Sequence, residues 1–168
     1  VPDLIAPTTR LRRAWLDAHA EWGPGPHEDG FGLTPADDVV SPVGFATWVH
    51  RLADESRRTT YRWIVDDHRV LGGIALRHDL DDHVRSVGHI GFGIRPSARR
   101  RGLAGWALER MIDHARQLGI DRLLLVCAAD NIASATTIQR QGGVLEGIRD
   151  TALGPARRYW ITLEPPID

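Results

Sequence analysis

The stretch that decides the fold is Val87-Gly-His-Ile-Gly-Phe-Gly-Ile-Arg-Pro-Ser-Ala-Arg-Arg-Arg-Gly-Leu-Ala104. Val87 to Ile94 is an apolar run of strand length. Pro96 fixes the exit from that strand and removes one backbone donor. Leu103, Ala107, Met111, Ala115 and Leu118 then recur at helical spacing, and Gly119 supplies a left-handed stop. Leu123-Leu-Leu-Val-Cys127 follows as a strand covered on both faces. Strand, basic turn, helix and strand make a βαβ unit. The first N–H groups of a helix have no intrahelical partner, and they lie at the positive end of its dipole. Arg99, Arg100 and Arg101 add charge, and arginine grips phosphate oxygens in a bidentate way. Gly102 and Ala104 are small enough for a ligand to lie against the backbone of Arg101 to Gly105. A diphosphate suits such a place. Read alone, these residues fit an ordinary βα turn with solvated arginines better. The turn lacks the Lys-Ser/Thr of a nucleoside triphosphate loop. Gly91 and Gly93 lie inside a strand, with no third glycine of a dinucleotide fingerprint.

No repeat or linker divides the 168 residues, so one domain spanning 1–168 is expected. Leu4 to Ala6 forms a short strand. Thr8 or Thr9 caps a helix running to about Trp22. Residues 21–38 lose periodicity and carry Glu21, Glu28, Asp29, Asp37 and Asp38. Ser41-Pro42 starts a second helix running to about Glu55, with Phe45, Trp48, Val49 and Leu52 on its apolar face. Thr59–Val65 and Arg69–Arg77 make a hairpin around Asp66-Asp67-His68. His78 to His83 reads as a loop, and the central strand as Ser86 to Ile94. Beyond Cys127 come a helix from Asn131 to Gln141 and two strands, Val144–Arg149 and Arg157–Leu163. The expected order is β-α-α-β-β-β-α-β-α-β-β. The fold class is α/β, a mixed sheet flanked by helices with one right-handed parallel crossover at its centre.

A formal net charge of −1 carries no global signal for nucleic acid. No apolar run approaches the roughly 18–20 residues that cross a membrane. The first residues have no basic segment ahead of an apolar run, so no signal peptide is expected there. One cysteine excludes an intramolecular disulfide and points to the cytoplasm. All 21 basic residues are arginine, which fits a coding bias or a surface with no lysine to acylate. The histidines lack ligand spacing along a helix, so no metal is expected.

The span Ile94 to Ala104 resembles the coenzyme A-binding segment of the GNAT superfamily of N-acyltransferases, Val/Ile-x-Pro followed by Arg/Gln-x-x-Gly-x-Gly/Ala. Asn131-Ile-Ala-Ser134 through Gln139-Arg-Gln-Gly142 resembles the next segment of that family, and the paired spacing is more specific than either motif. The resemblance implies a GNAT-like fold with acetyl-CoA as cosubstrate. Backbone at Ile94 would pair with the pantetheine arm. Arg99, Arg100, Arg101, Gly102, Leu103, Ala104 and Gly105 would hold the diphosphate, and Asn131 would lie near the pantetheine. The implied reaction is direct transfer of an acetyl group to an amine of a small molecule or peptide, in a monomer or homodimer. Neither nucleic acid nor membrane is an expected partner.

Amine acetylation needs a neutral nucleophile, a polarised thioester and a proton for the leaving thiolate. His89 is the candidate base, because it titrates near neutral pH and Gly91 and Gly93 share its face. A hydrogen-bonded structural histidine is the alternative. The family's acid is often a tyrosine seven residues after the asparagine, and that position here is Ile138. Tyr159, Cys127 and Thr137 are substitutes, and solvent is another. The five carboxylates of 21–38, with Trp22 and Phe31, suit a cationic amine or form a solvated loop. A non-catalytic acyl-CoA-binding or sensor module and a nucleotide-binding α/β domain are the rival readings.

Overall fold

Two aromatic-rich helices and a hairpin build the first half of the chain. A computed structural model describes residues 1–23 and 29–165. The elements are β1 (Asp3–Ile5), α1 (Arg12–Trp22), α2 (Pro42–Asp54), β2 (Thr59–Asp66), β3 (Arg69–Arg77), α3 (Asp82–Val87), β4 (Ile90–Ile94), α4 (Leu103–Gln117), β5 (Arg122–Ala128), α5 (Ile132–Arg140), β6 (Val144–Thr151) and β7 (Gly154–Thr162). Short 3-10 turns at Thr9–Leu11 and Pro96–Ala98 precede α1 and α4. The local signals act as expected. Thr8 caps the first turn, and the Ser41 hydroxyl accepts the Gly44 N–H at 3.0 Å at the start of α2. Asp67 and His68 both take positive φ, 49° and 61°, which matches the twist of a two-residue hairpin between β2 and β3.

By their contacts the residues form two units, 1–75 with 91–103 and 76–90 with 104–168. The first is centred on an aromatic cluster. Trp15 packs on Trp48 with ring centroids 4.7 Å apart, and Trp48 stacks on Trp63 at 5.9 Å. Phe31 and Phe45 meet the same rings edge-on or tilted. β1 pairs with β2 in register Asp3↔Val65, antiparallel. In the second unit β7 is the middle strand, antiparallel to both β5 and β6. Ala107, Leu108, Met111, Ile112 and Ala115 form the buried face of α4. Leu118, expected on that face, is 47% exposed because the helix has already ended at Gln117.

The mixed α/β class and the order of the main elements agree with the sequence reading. Two details differ. The segment read as loop and strand start, residues 78–89, contains the short helix α3. The Asp81 carboxylate accepts the Val84 N–H at 2.9 Å, and Gly88 at φ 90° ends the helix. The local cap outweighs the strand-like look of Val84 and Val87. The second difference is the sheet. The strands form two sheets, β1-β2-β3-β4 and β5-β7-β6, instead of one with a parallel crossover at its centre. The link from the β4 approach to β5 is one isolated bridge, Gly88↔Leu125, while β5 pairs along its whole length with β7.

Trp48 touches Trp15, Phe45 and Trp63 and is 1% exposed. Trp48→Ala should therefore cost about 3–5 kcal/mol of unfolding free energy, read from urea denaturation followed by circular dichroism.

Candidate functional site

β4 ends at Ile94, and the chain turns over Pro96–Ala98 before α4 starts at Leu103. The Ala98 N–H donates to the Arg95 carbonyl at 2.9 Å and the Arg99 N–H to the Pro96 carbonyl at 3.3 Å. Arg100 then adopts φ 63° and Gly102 φ 75°. A left-handed arginine costs roughly 1–2 kcal/mol, a strain of the kind found at ligand-binding turns. The reversal lies directly ahead of a fifteen-residue helix, whose first N–H groups have no intrahelical partner. A Cβ added at Gly102 or Gly105 would meet nothing within 4 Å, so the backbone there is open to a ligand. Arg99, Arg100 and Arg101 are all exposed, and Arg99 also folds back so that its Nε donates to the Ile94 carbonyl at 2.9 Å. Leu103 is buried and anchors the helix start.

The turn is braced by Arg95, for which no local motif in the sequence speaks. Its side chain is 4% exposed yet charged. Nε donates to Glu21 at 2.9 Å, one terminal nitrogen to Asp17 at 3.0 Å and the other to the Val70 carbonyl at 3.2 Å. Burial alone would lower its pKa, and the bonds to Glu21 and Asp17 hold it above its ordinary value. Glu21 is pulled down to about 2, first by the Arg95 bond and then by Ser97. The sequence did show Asp17 and Glu21 four apart on one helix face, but it gave no sign of a partner 74 residues away.

Gly91 and Gly93 do not clear space for a substrate. A Cβ at Gly91 would sit 2.7 Å from the Asp29 carboxylate, and one at Gly93 would sit 2.8 Å from the Asp29 carbonyl. Gly30 lies against the carbonyls of Gly73 and Gly91 in the same way. The glycines therefore let residues 29–31 lie flat on β3 and β4. The acidic loop is likewise largely spent on its own structure. Asp37 pairs with Arg51 at 2.8 Å, and Asp38 accepts the N–H groups of Val40 and Ser41. Glu28 lies outside the described residues.

His89 is 2% exposed. Its Nδ1 accepts the Leu124 N–H at 2.8 Å, its own N–H donates to the Leu124 carbonyl at 2.6 Å, and its carbonyl accepts the Arg77 N–H at 2.7 Å. Burial first, then Arg122, lowers its pKa and keeps the ring neutral. The lone pair a base would use is thus held by a backbone donor, so this arrangement gives His89 a structural part. Tyr159 is 0% exposed, and its hydroxyl accepts from Gln139 Nε2 at 3.2 Å. Burial raises the Cys127 thiol, which stays protonated at neutral pH. Thr137 donates its hydroxyl to the Ala133 carbonyl.

The sequence matches the family model for the acetyltransferase (GNAT) domain over residues 34–144, more than half of the chain. The chain belongs to the GNAT acetyltransferase family. No curated protein sequence matches it. Solved structures share its fold at low identity. The ribosomal L7/L12 alpha-N-protein acetyltransferase RimL, in complex with coenzyme A, is 18% identical with a TM-score of 0.77, over 96% of this chain and 94% of that one. The ribosomal-protein-S5-alanine acetyltransferase from Vibrio fischeri is 15% identical with a TM-score of 0.75, over 96% and 92%. The microcin C7 self-immunity acetyltransferase MccE, in complex with acetyl-CoA and AMP, is 15% identical with a TM-score of 0.73, also over 96% and 92%.

Against the GNAT pattern, the departure at Ile138 is structural. Ile138 is 1% exposed on α5 and presents no proton. Asn131 caps that helix, its Oδ1 accepting the Ser134 N–H at 3.1 Å. Among the described residues no three His, Cys, Asp or Glu side chains group as metal ligands. No described helix is long and apolar enough to cross a membrane.

Two pH windows follow. His89 takes up its proton more readily in the unfolded chain, so its contribution to stability is present above about pH 6.5 and is lost as the pH falls below that. The contribution of Glu21 is present above about pH 4.5 and is lost towards pH 2. His89→Asn keeps an acceptor for the Leu124 N–H, so it should flatten the upper window of a melting-temperature profile and leave the lower one. Its kcat should stay within about threefold of the parent, since less than ~1 kcal/mol of transition-state stabilisation is removed. A loss of several hundredfold would restore His89 as the base.

Proposed function

We propose that residues 1–168 form one acetyltransferase domain that uses acetyl-CoA as cosubstrate and acetylates an amine by direct transfer in a ternary complex, in the cytoplasm. The observation that carries this reading is the turn itself. Left-handed residues at Arg100 and Gly102, open backbone at Gly102 and Gly105 and three exposed arginines lead into α4. These features fit a diphosphate, with N–H donors and the positive helix end facing it. Arg99, Arg100, Arg101, Gly102, Leu103, Ala104 and Gly105 take the diphosphate, and the Ile94 backbone takes the pantetheine arm. Asn131 contributes through Nδ2, since its Oδ1 is spent on the cap. RimL and MccE, which bind coenzyme A or acetyl-CoA, support the donor assignment.

When bound, acetyl-CoA supplies a thioester. The amine nitrogen forms a bond to the carbonyl carbon and loses a proton, and the carbon–sulfur bond breaks with protonation of sulfur. His89 and Tyr159 are enclosed, so water is the proton carrier at both ends of this scheme. The thiolate is a good leaving group, and its thiol is acidic enough for solvent to protonate it. The acceptor is a small-molecule or peptide amine. Because most of the 21–38 carboxylates are engaged internally, cationic character is not required of it. A second reading, a non-catalytic acyl-CoA-binding module, is favoured by Ile138 at the usual acid position.

Calorimetry with CoA should show binding by the parent protein. Arg100→Gly keeps the left-handed backbone and removes one cation, and it should weaken binding about tenfold. Gly102→Glu, which adds strain and negative charge, should abolish binding while the circular dichroism spectrum stays unchanged. Thiol release from acetyl-CoA across polyamines, amino acids, aminoglycosides and N-terminal peptides separates enzyme from sensor. No turnover with any of them favours the sensor.

A further inference from the structure

Pro96 has no N–H, so the first donor of the Pro96–Ala98 turn is the Ser97 N–H. It donates to Glu21 Oε2 at 3.2 Å, and the same oxygen accepts from Arg95 Nε at 2.9 Å. On the other side the Arg95 N–H donates to the Leu71 carbonyl at 2.8 Å and its guanidinium to the Val70 carbonyl at 3.2 Å. Residues 95–97 are thus held between β3 and the last turn of α1. We infer that Glu21 is a positioning residue of the donor site, acting through Ser97 and Arg95 to fix where the phosphate-binding turn begins. This rests on the coenzyme reading of Arg99 to Gly105.

The charge arrangement explains the pairing. A carboxylate near a diphosphate site would repel its ligand, and a bare buried guanidinium would cost heavily to desolvate. Held against Arg95, Glu21 is neutralised, and its oxygen is left to hold a backbone N–H. Asp17, one turn earlier, is 68% exposed, and among the described residues its carboxylate pairs with Arg95. It shares the charge without touching the turn. Glu21 therefore controls the geometry, and Asp17 does not.

The test measures dissociation constants for CoA and for pantetheine, which lacks the diphosphate, together with hydrogen exchange of the amides at 97–102. Glu21→Ala should weaken CoA binding about tenfold, the worth of one charge-assisted hydrogen bond. Its affinity for pantetheine should stay within about twofold, and amides 97–102 should exchange faster. Glu21→Gln retains one acceptor and should lose about threefold for CoA, and it replaces the alanine variant if that one does not fold. Asp17→Asn should stay within about twofold on every readout. Equal losses for CoA and pantetheine, or unchanged CoA affinity in a folded Glu21 variant, would overturn the inference. If the parent protein does not bind CoA, the coenzyme reading fails. In that case unchanged exchange at 97–102 in Glu21→Ala overturns the brace independently.

Discussion

A guanidinium taken almost wholly out of water must be both neutralised and hydrogen-bonded, and Arg95 meets that demand from three directions. Two carboxylates come from α1 and one carbonyl from β3. The consequence is mechanical. The peptide leaving β4 cannot shift without breaking bonds to a helix and a strand at once. The turn that follows contains a strained arginine at 100 and a permissive glycine at 102, so it needs a fixed starting point. Positions of this kind tolerate strain because their surroundings over-determine them.

The same economy of space governs the sheet beside it. Residues 29–31 lie so close to β3 and β4 that Cβ atoms at Gly91, Gly93 or Gly73 would collide with them. Phe31, delivered by this approach, reaches Trp15, Trp22 and Trp63. A backbone segment pressed onto a strand thus completes the aromatic core of the first unit. Glycines that look like room for a ligand in a sequence are room for the protein's own chain. Their alternation at 91 and 93 placed them on one face, and nothing local says what occupies that face.

His89 shows how much a side chain's surroundings add to a local pattern. Its position on an apolar run next to small residues marked it as a base. The fold places it where β4 has not yet begun, and it exchanges two hydrogen bonds with Leu124. A histidine used this way adds its side chain to the isolated bridge between Gly88 and Leu125. Its lowered pKa reports burial, and the Leu124 N–H occupies the Nδ1 lone pair that a base would use. Tyr159 is similar. It lies opposite Leu125 and Leu145 on the middle strand, where a side chain on the covered face is packed whatever its chemistry.

What the sequence determined by itself was everything that depends on near neighbours along the chain. The caps at Thr8 and Ser41, the hairpin at Asp67-His68, the amphipathic face of α4 and the phosphate-suited turn before it are set by spacings of a few residues. The paired segments at Ile94–Ala104 and Asn131–Gly142 also sufficed for the family. Only the tertiary structure decided the partners of buried charge and the division of strands into two sheets. Arg95 finds Glu21 across 74 positions, and β5 pairs with β7 along its full length. Such choices depend on which groups the folded chain brings together and which donors would otherwise be left unpaired. No local periodicity encodes them.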